Sequence, residues 1–367
     1  MKVLFINSIQ MFGGGEVWLL TIMRALMERG HDVYLLCRPG VPLEFYARGE
    51  NFNVYTISMR GDFDPVVIYK TWKLIRKLRI DIVCTNMDKE LRFGGTAAKI
   101  AGVKAIVPRR GIDYPLKNTW IYHWTYVHVA SGIIANSFAT KKSLTKNSPW
   151  LSPEKIRVIY NGVEYSRFSS PAKKNLRREL GISQKDFLVG FVGQLDERKG
   201  VETLVKSFSI LSKKKSHVTL LMVGQGKLKD YLVNMTSQCH GRVIFTGYRN
   251  DIDEVMKCID VLVLPSFWEG FGIVLIEAMA AGKPVVTTRA SNMPEIVTDK
   301  KEGFLIPPGD ENSLTKVLID LIEKPELKKE MGQLGQEKVR KHFTLEKMVD
   351  QTEGFFLQLV KDKYKSN

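Results

Sequence analysis

The chain has 367 residues, 44% of them hydrophobic, which is long enough for two domains and apolar enough to bury real cores, so intrinsic disorder is excluded. No apolar stretch reaches about 18 residues without Glu, Lys or Arg, and the opening MKVLFINSIQ is too short for a signal peptide, so neither a membrane span nor a secretory leader is expected. The net charge is +16; residues 1–168 carry 24 Lys and Arg against 13 Asp and Glu, so +11 sits in the first half. That imbalance points to an anionic membrane surface, an acidic acceptor or nucleic acid, with a plain lysine-rich surface equally open.

Seven β-rich runs come first: KVLFIN (2–7), DVYLLC (32–37), NVYTI (53–57), DIVCT (81–85), AIVP (105–108), GIIAN (132–136) and IRVIY (156–160). Amphipathic segments separate several of them, at Glu16 to Arg29, Val66 to Arg79 and Ala139 to Lys146. Strand and helix in alternation predict a parallel sheet covered on both faces. The polar, basic stretch from Ser166 to Lys185 reads as a linker with a lead-in helix. A second series follows, FLVGFVG (187–193), HVTLLMVG (217–224), RVIFTG (242–247), DVLVLP (260–265) and PVVTT (284–288), with helices at Gly200 to Lys213 and Gly272 to Ala281. After Asp310 the pattern is helical, and the tail from Thr344 to Tyr364 is amphipathic with few partners left in its own domain, so it is expected to pack back across the junction. The predicted architecture is two α/β domains in tandem with a cleft between them, over 1–168 and 169–343, and a terminal helix over 344–367 returning to the first domain. Four cysteines, Cys37, Cys84, Cys239 and Cys258, show no C-x-x-C spacing and read as reduced thiols of a cytoplasmic protein.

Three strand-to-helix turns carry chemistry. Gly13, Gly14 and Gly15 precede the first helix, where backbone amides approach a phosphate and the helix terminus adds partial positive charge, although a plain flexible turn fits the glycines as well. Trp18 stands where a dinucleotide fingerprint needs a third glycine, and Cys37-Arg38 stands where it needs a ribose-binding acid, so a nicotinamide dehydrogenase is disfavoured. GQLDERKG (193–200) sets Lys199 at a helix start, with Arg198 beside it as a second phosphate contact or a solvated side chain. In PSFWEGFGIVLIEAMAAGKPVV (265–286), Glu269 lies in the loop and Glu277 in the following helix; carboxylates there accept hydroxyls, and free amides near Ile273 and Val274 face phosphates.

EGFGIVLIE is an E-x7-E motif, and it comes with GGGE, ANS (135–137), VIYNGVE (158–164), GQL…KG, LLMVGQG (220–226), FTGYRNDI (245–252), LVLPS (262–266), PEIV (294–297) and GFLIPPGD (303–310). In that order the set closely resembles glycosyltransferase family 4, retaining enzymes of the GT-B fold, along nearly the whole chain. The resemblance implies two Rossmann-like domains facing a central cleft and transfer of a sugar from a UDP- or GDP-linked donor to a glycan or lipid-linked acceptor. It implies that Glu269, beside the Gly270, Phe271 and Gly272 backbone, binds donor-sugar hydroxyls and that Glu277 binds the ribose. The Ile273 and Val274 amides, with Lys199, would hold the diphosphate; Tyr248 and Arg249 would flank the base; Gly14 and Gly15 would face the phosphates from the first domain. No essential metal or other cofactor is implied.

Two departures stand out. Gln194 occupies the place of a frequent arginine, so a diphosphate contact is lost or moves to Arg198. VPRRGID (107–113) offers Arg109 or Arg110 where many relatives carry a histidine near the transferred sugar; a guanidinium suits an anionic donor or acceptor group, and a surface arginine pair is the alternative. With Lys199 and Glu269, Arg110 completes the expected catalytic set. The expected mechanism is cleavage of the sugar–diphosphate bond through an oxocarbenium-like state, attack from the same face, and no protein nucleophile. Asp62/Asp64 and Asp251/Asp253 have D-x-D spacing but precede helices, so capping is expected rather than metal binding. His123 and His128 lack zinc-site order and read as packing. KTWKLIRKLRI (70–80) sets Trp72, Leu74, Ile75 and Leu78 among basic residues including Lys73 and Arg76: either a partly inserted contact on an anionic leaflet, making the protein peripheral on the inner membrane face, or a sheet-covering helix with a solvated basic face. A nucleotide-sugar epimerase, a silent sugar-nucleotide binder and a nucleic-acid binder remain alternatives; nucleic acid is not the expected partner, because it leaves Glu269 and Glu277 unexplained.

Overall fold

The computed structural model describes residues 1–59, 61, 63–237 and 239–365. It divides into two compact units, one of Met1–Asn161 with Glu346–Asn367 and the other of Gly162–Leu345.

Unit 1 is built on a seven-stranded parallel sheet of β1 (Lys2–Asn7), β2 (Asp32–Cys37), β3 (Asn53–Thr56), β4 (Ile82–Thr85), β5 (Ala105–Arg110), β6 (Ile133–Ala135) and β7 (Ile156–Val158). The spatial order is β3-β2-β1-β4-β5-β6-β7, with Val3 opposite both Val33 and Ile82. Val3, Leu4, Phe5 and Ile6 are all buried, as continuous apolar strands covered on both faces must be. The strand order reverses at β1 and β4, and ligands of open parallel sheets bind outside the carboxyl ends of strands at such a point. Those ends lead into α1 (Gly14–Glu28) and to Asn86, while β5 ends at Arg109 and Arg110.

Helix α2 (Pro65–Leu78) starts where Asp64 accepts hydrogen bonds from the Val66 and Val67 amides, with Pro65 in the first turn. The capping expectation holds for Asp64, whereas Asp62 lies outside the described residues. Val67, Thr71 and Ile75 are buried, and Trp72, Leu74 and Leu78 pack on the core. Most of the apolar face of α2 packs inside unit 1, whereas Val66 and Tyr69 are exposed. Trp72 stays half-buried beside exposed Tyr69, and Lys70, Lys73, Arg76 and Lys77 form an exposed basic face. His123 packs its ring edge on Trp150 at 5.2 Å.

Unit 2 carries β8 (Phe187–Val192), β9 (Val218–Val223), β10 (Arg242–Gly247), β11 (Val261–Leu264), β12 (Val285–Thr288) and β13 (Gly303–Ile306). All pair in parallel in the order β10-β9-β8-β11-β12-β13. Here the switch falls between β8 and β11, whose carboxyl ends lead to GQLDERK and to PSFWEG. β13, the four residues between Lys300-Lys301-Glu302 and Pro307, was not among the predicted strands.

The stretch from Ser166 to Lys185 is not a free linker. The Glu254 carboxylate accepts the Lys173 and Lys174 amides, and Arg177 reaches Asp260 at 2.6 Å and the carbonyls of Cys258, Ser183 and Asp186. Asp251 does not cap the helix Ile252–Cys258 through its side chain; the Arg249 guanidinium takes it instead. Val163 pairs with Thr344, and the terminal helix α3 (Leu345–Lys365) then serves unit 1. There Asp350 and Glu353 bind Arg29, each at 2.6 Å, and Phe355 lies against Gly132. No helix among the described residues is long and apolar enough to cross a membrane.

Candidate active site

In unit 2 the turn after β8 and the loop after β11 are locked together by backbone. Phe267 donates its amide to the Arg198 carbonyl at 2.9 Å. Gly200, at φ +65°, sits where a Cβ would lie 2.0 Å from the Pro265 carbonyl oxygen, so only glycine permits the approach. This closeness brings the Lys199 ammonium onto the Glu269 carboxylate. Glu269 is 5% exposed and also accepts from Ser266 Oγ at 3.0 Å. Its amide reaches Ser291 Oγ at 3.4 Å, and Asn292 Nδ2 donates to the Phe271 carbonyl at 3.0 Å. Ser291 holds a left-handed φ of +49°, a conformation that costs a non-glycine residue about 1 kcal/mol or more. Ser266, Ser291 and Asn292 thus fix the Glu269 loop, and none was singled out from sequence; only Ser266 lay within a quoted motif.

The loop ends at Gly272, which opens a helix at Ile273–Ala280. Among the described residues the Ile273 and Val274 amides have no acceptor, as expected of a first helical turn. Five positions in, Glu277 is half-buried and accepts no hydrogen bond from any described residue. Burial pushes its carboxyl up to about 7; Arg167 draws it down and Asp253 draws it up. Arg167 is itself bound to Asp253 at 3.0 Å.

The flanking residues are less committed to a ligand. Gln194 is exposed, and Arg198 lies over the Trp268 ring at 5.5 Å with Asp196 3.4 Å away. Tyr248 is exposed, but Arg249 is held by Asp251 at 2.7 Å and Glu179 at 3.1 Å, so its charge is already matched inside unit 2.

In unit 1 the Gly14 and Gly15 amides open α1 without an acceptor among the described residues, while Glu16 turns back to the Gly13 amide at 3.0 Å and takes Asn7 Nδ2 at 2.9 Å. The two arginines ending β5 differ sharply. Arg110 is paired with Asp88 at 2.5 Å, and Asp88 also accepts from the Tyr122 and Tyr126 hydroxyls, so this guanidinium anchors a buried network. Arg110 therefore directs one guanidinium nitrogen to Asp88, while its buried Nε has no hydrogen-bond partner among the described residues. Arg109 is 5% exposed and, among the described residues, has only neutral hydrogen-bond partners, Asn86 Oδ1 at 3.3 Å and Asn161 Oδ1 at 3.1 Å, with the Trp18 ring 4.2 Å beneath it.

Two family models tile the chain: one for family 4 glycosyltransferases matches residues 12–167, and one for group 1 glycosyl transferases matches residues 172–338. The chain belongs to the family 4 glycosyltransferases. It is 26% identical to the UDP-Gal:alpha-D-GlcNAc-diphosphoundecaprenol alpha-1,3-galactosyltransferase of Escherichia coli, over 99% of this chain and 98% of the relative. It is 25% identical to the N-acetyl-alpha-D-glucosaminyl L-malate synthase of Bacillus anthracis, over 95% of each. The solved structure of Anabaena HepE in complex with UDP superposes with a TM-score of 0.87 at 24% identity, covering 98% of this chain and all of that one. As a family 4 member the chain is a glycosyltransferase with the two Rossmann-like domains of the GT-B fold.

Proposed function

We propose that this glycosyltransferase moves a hexosyl group, with retention at the anomeric carbon, from a nucleoside diphosphate sugar to a hydroxyl of a glycan or lipid-linked acceptor in cell-surface polysaccharide or lipopolysaccharide synthesis. The observation that carries the donor side is Glu277, a desolvated carboxylate with no donor among the described residues, for which a ribose diol supplies the missing hydrogen bonds. Glu269 accepts sugar hydroxyls, and Lys199 exchanges its carboxylate for the leaving diphosphate, which the Ile273 and Val274 amides also meet. The departing phosphate oxygen takes the proton of the attacking hydroxyl, so the reaction needs neither a protein nucleophile nor a resident metal. The relatives' names favour uridine as the base and include a diphosphoundecaprenol acceptor. We place the exposed basic face of α2 toward an anionic membrane surface as an electrostatic contact without insertion.

Calorimetry with UDP, GDP and their sugars tests the donor side. One nucleotide binds the wild type, and Glu277→Ala weakens it at least tenfold; a folded protein that binds no nucleotide overturns the assignment. Retention is read from the anomeric configuration of the product by NMR.

A further inference from the structure

We propose that Arg109 is a specificity-determining residue: the centre of a built receptor in unit 1 for one oxyanion, a carboxylate or phosphate carried by a substrate. A guanidinium taken out of water loses several kcal/mol of hydration and is ordinarily matched by a carboxylate. Arg109 is buried among neutral groups, and no carboxylate of the described residues lies within ion-pair distance. The field of Glu16 reaches it, but both Glu16 oxygens are turned to Asn7 and Gly13. Glu90, on the other side of Asn86, spends its oxygens on the Ser8, Asn86 and Met87 amides. The cation is held but not answered.

Its surroundings fix it in place. Trp18 supports the guanidinium face, the two asparagine oxygens orient its edge, and the side chain lies over Gly111, where a Cβ would come 2.6 Å from Nη1. Two asparagine oxygens account for two of its five N–H donors, so a planar oxyanion finds a ready fork. A second set of donors stands close by. Asn86, which holds Arg109 through Oδ1, presents Nδ2 3.3 Å from the Cβ position of Gly15, and the Gly14 and Gly15 amides at the start of α1 have no acceptor. Arg109, Asn86 and a fifteen-residue helix N-terminus therefore lie at the carboxyl ends of β1, β4 and β5, where the Glu16 and Glu90 carboxylates are already engaged by Asn7 and backbone amides.

Assigning the anion to a substrate rests on the glycosyltransferase reading; the receptor itself does not. The test titrates the full chain with inorganic phosphate, malonate, UDP, UDP-glucose and UDP-glucuronate, in wild type, Arg109→Gln and Arg109→Lys, with thermal unfolding as the folding check. Wild type binds at least one of these anions, Arg109→Gln weakens it at least tenfold, and Arg109→Lys, which keeps charge but loses the fork, recovers only part. Loss of phosphate or malonate with UDP unchanged places the anion on the acceptor. Loss confined to UDP-glucuronate places it on the donor sugar, and loss of UDP itself identifies the donor diphosphate. Equal binding of every probe by wild type and Arg109→Lys, the variant that retains the buried charge, overturns the proposal. Glu277→Ala separates the two claims, since nucleotide binding that ignores Glu277 retires the donor site while anion binding that follows Arg109 stands.

Discussion

Replacing Glu277 by Gln keeps the shape of the side chain and removes its titration, so stability and function should move in opposite directions. Burial raises the carboxyl from its ordinary 4.5 to about 7 in the folded protein. A raised value means that the folded state holds this proton more tightly than the unfolded chain does. The stabilisation it confers is complete below about pH 4.5 and is lost as pH rises through about 7. A rise from 4.5 to about 7, at about 1.4 kcal/mol per pH unit, gives about 3.5 kcal/mol, and partial exposure trims this to about 2–3 kcal/mol. Glutamine has no such term, so relative to wild type Glu277→Gln should gain about 2–3 kcal/mol between about pH 4.5 and pH 8, or about 5–10 °C in Tm for a domain of this size. Thermal unfolding of both proteins across that range measures the difference, and calorimetry with UDP reads the function, which should weaken at least tenfold. Parallel stability curves, or a variant that loses ground at high pH, would refute a desolvated carboxylate at this position.

Three further outcomes follow from the geometry. Gly200→Ala should destabilise unit 2 by about 3 kcal/mol or more in urea unfolding, because its Cβ meets the Pro265 carbonyl and φ is positive; a loss under about 1 kcal/mol would show that the two loops separate easily. Asp88→Asn leaves Arg110 buried without its carboxylate and should lower stability by about 3–5 kcal/mol, while kcat well below Tm stays within about threefold; a hundredfold fall in kcat would place Arg110 in the catalytic set. Lys73→Glu with Arg76→Glu should weaken binding to vesicles rich in anionic phosphatidylglycerol by about 30-fold or more at low salt without altering UDP affinity, from about 1 kcal/mol per charge; unchanged sedimentation would remove the membrane contact.

Much of this molecule is legible in the chain because its strands are buried on both faces. VLFI (3–6) and VLVL (261–264) are unbroken apolar runs whose lengths and flanking turns identify strands; twelve of the thirteen strands were predicted, and β13 was not, although it is no shorter than β6 or β7. The residues after β8 and β11 were singled out as strand-to-helix turns, and their roles came from the run of family motifs around them rather than from spacing alone. What stayed hidden depends on distance along the chain. The Asp88 network joins residues 22 to 38 positions apart, and nothing local distinguishes Arg110, which it captures, from Arg109, which it leaves. Likewise the apolar residues of α2 have one periodicity whether they face a lipid or a sheet; only the core beneath them decides.

Chain order adds a constraint on biogenesis. Unit 2 is an insertion: the polypeptide leaves unit 1 at Asn161 and returns only at Glu346, with Val163 and Thr344 side by side. A nascent chain emerging from its amino end can therefore finish unit 2 before unit 1, whose last helix is synthesised last. Until then the flank of β6 and β7 that receives Phe355 stays uncovered, with Gly132 and Arg157 facing solvent. A ribosome stalled before residue 346 would hold a completed unit 2 on an unfinished neighbour. Truncation of the tail should accordingly injure the half of the protein that was made first.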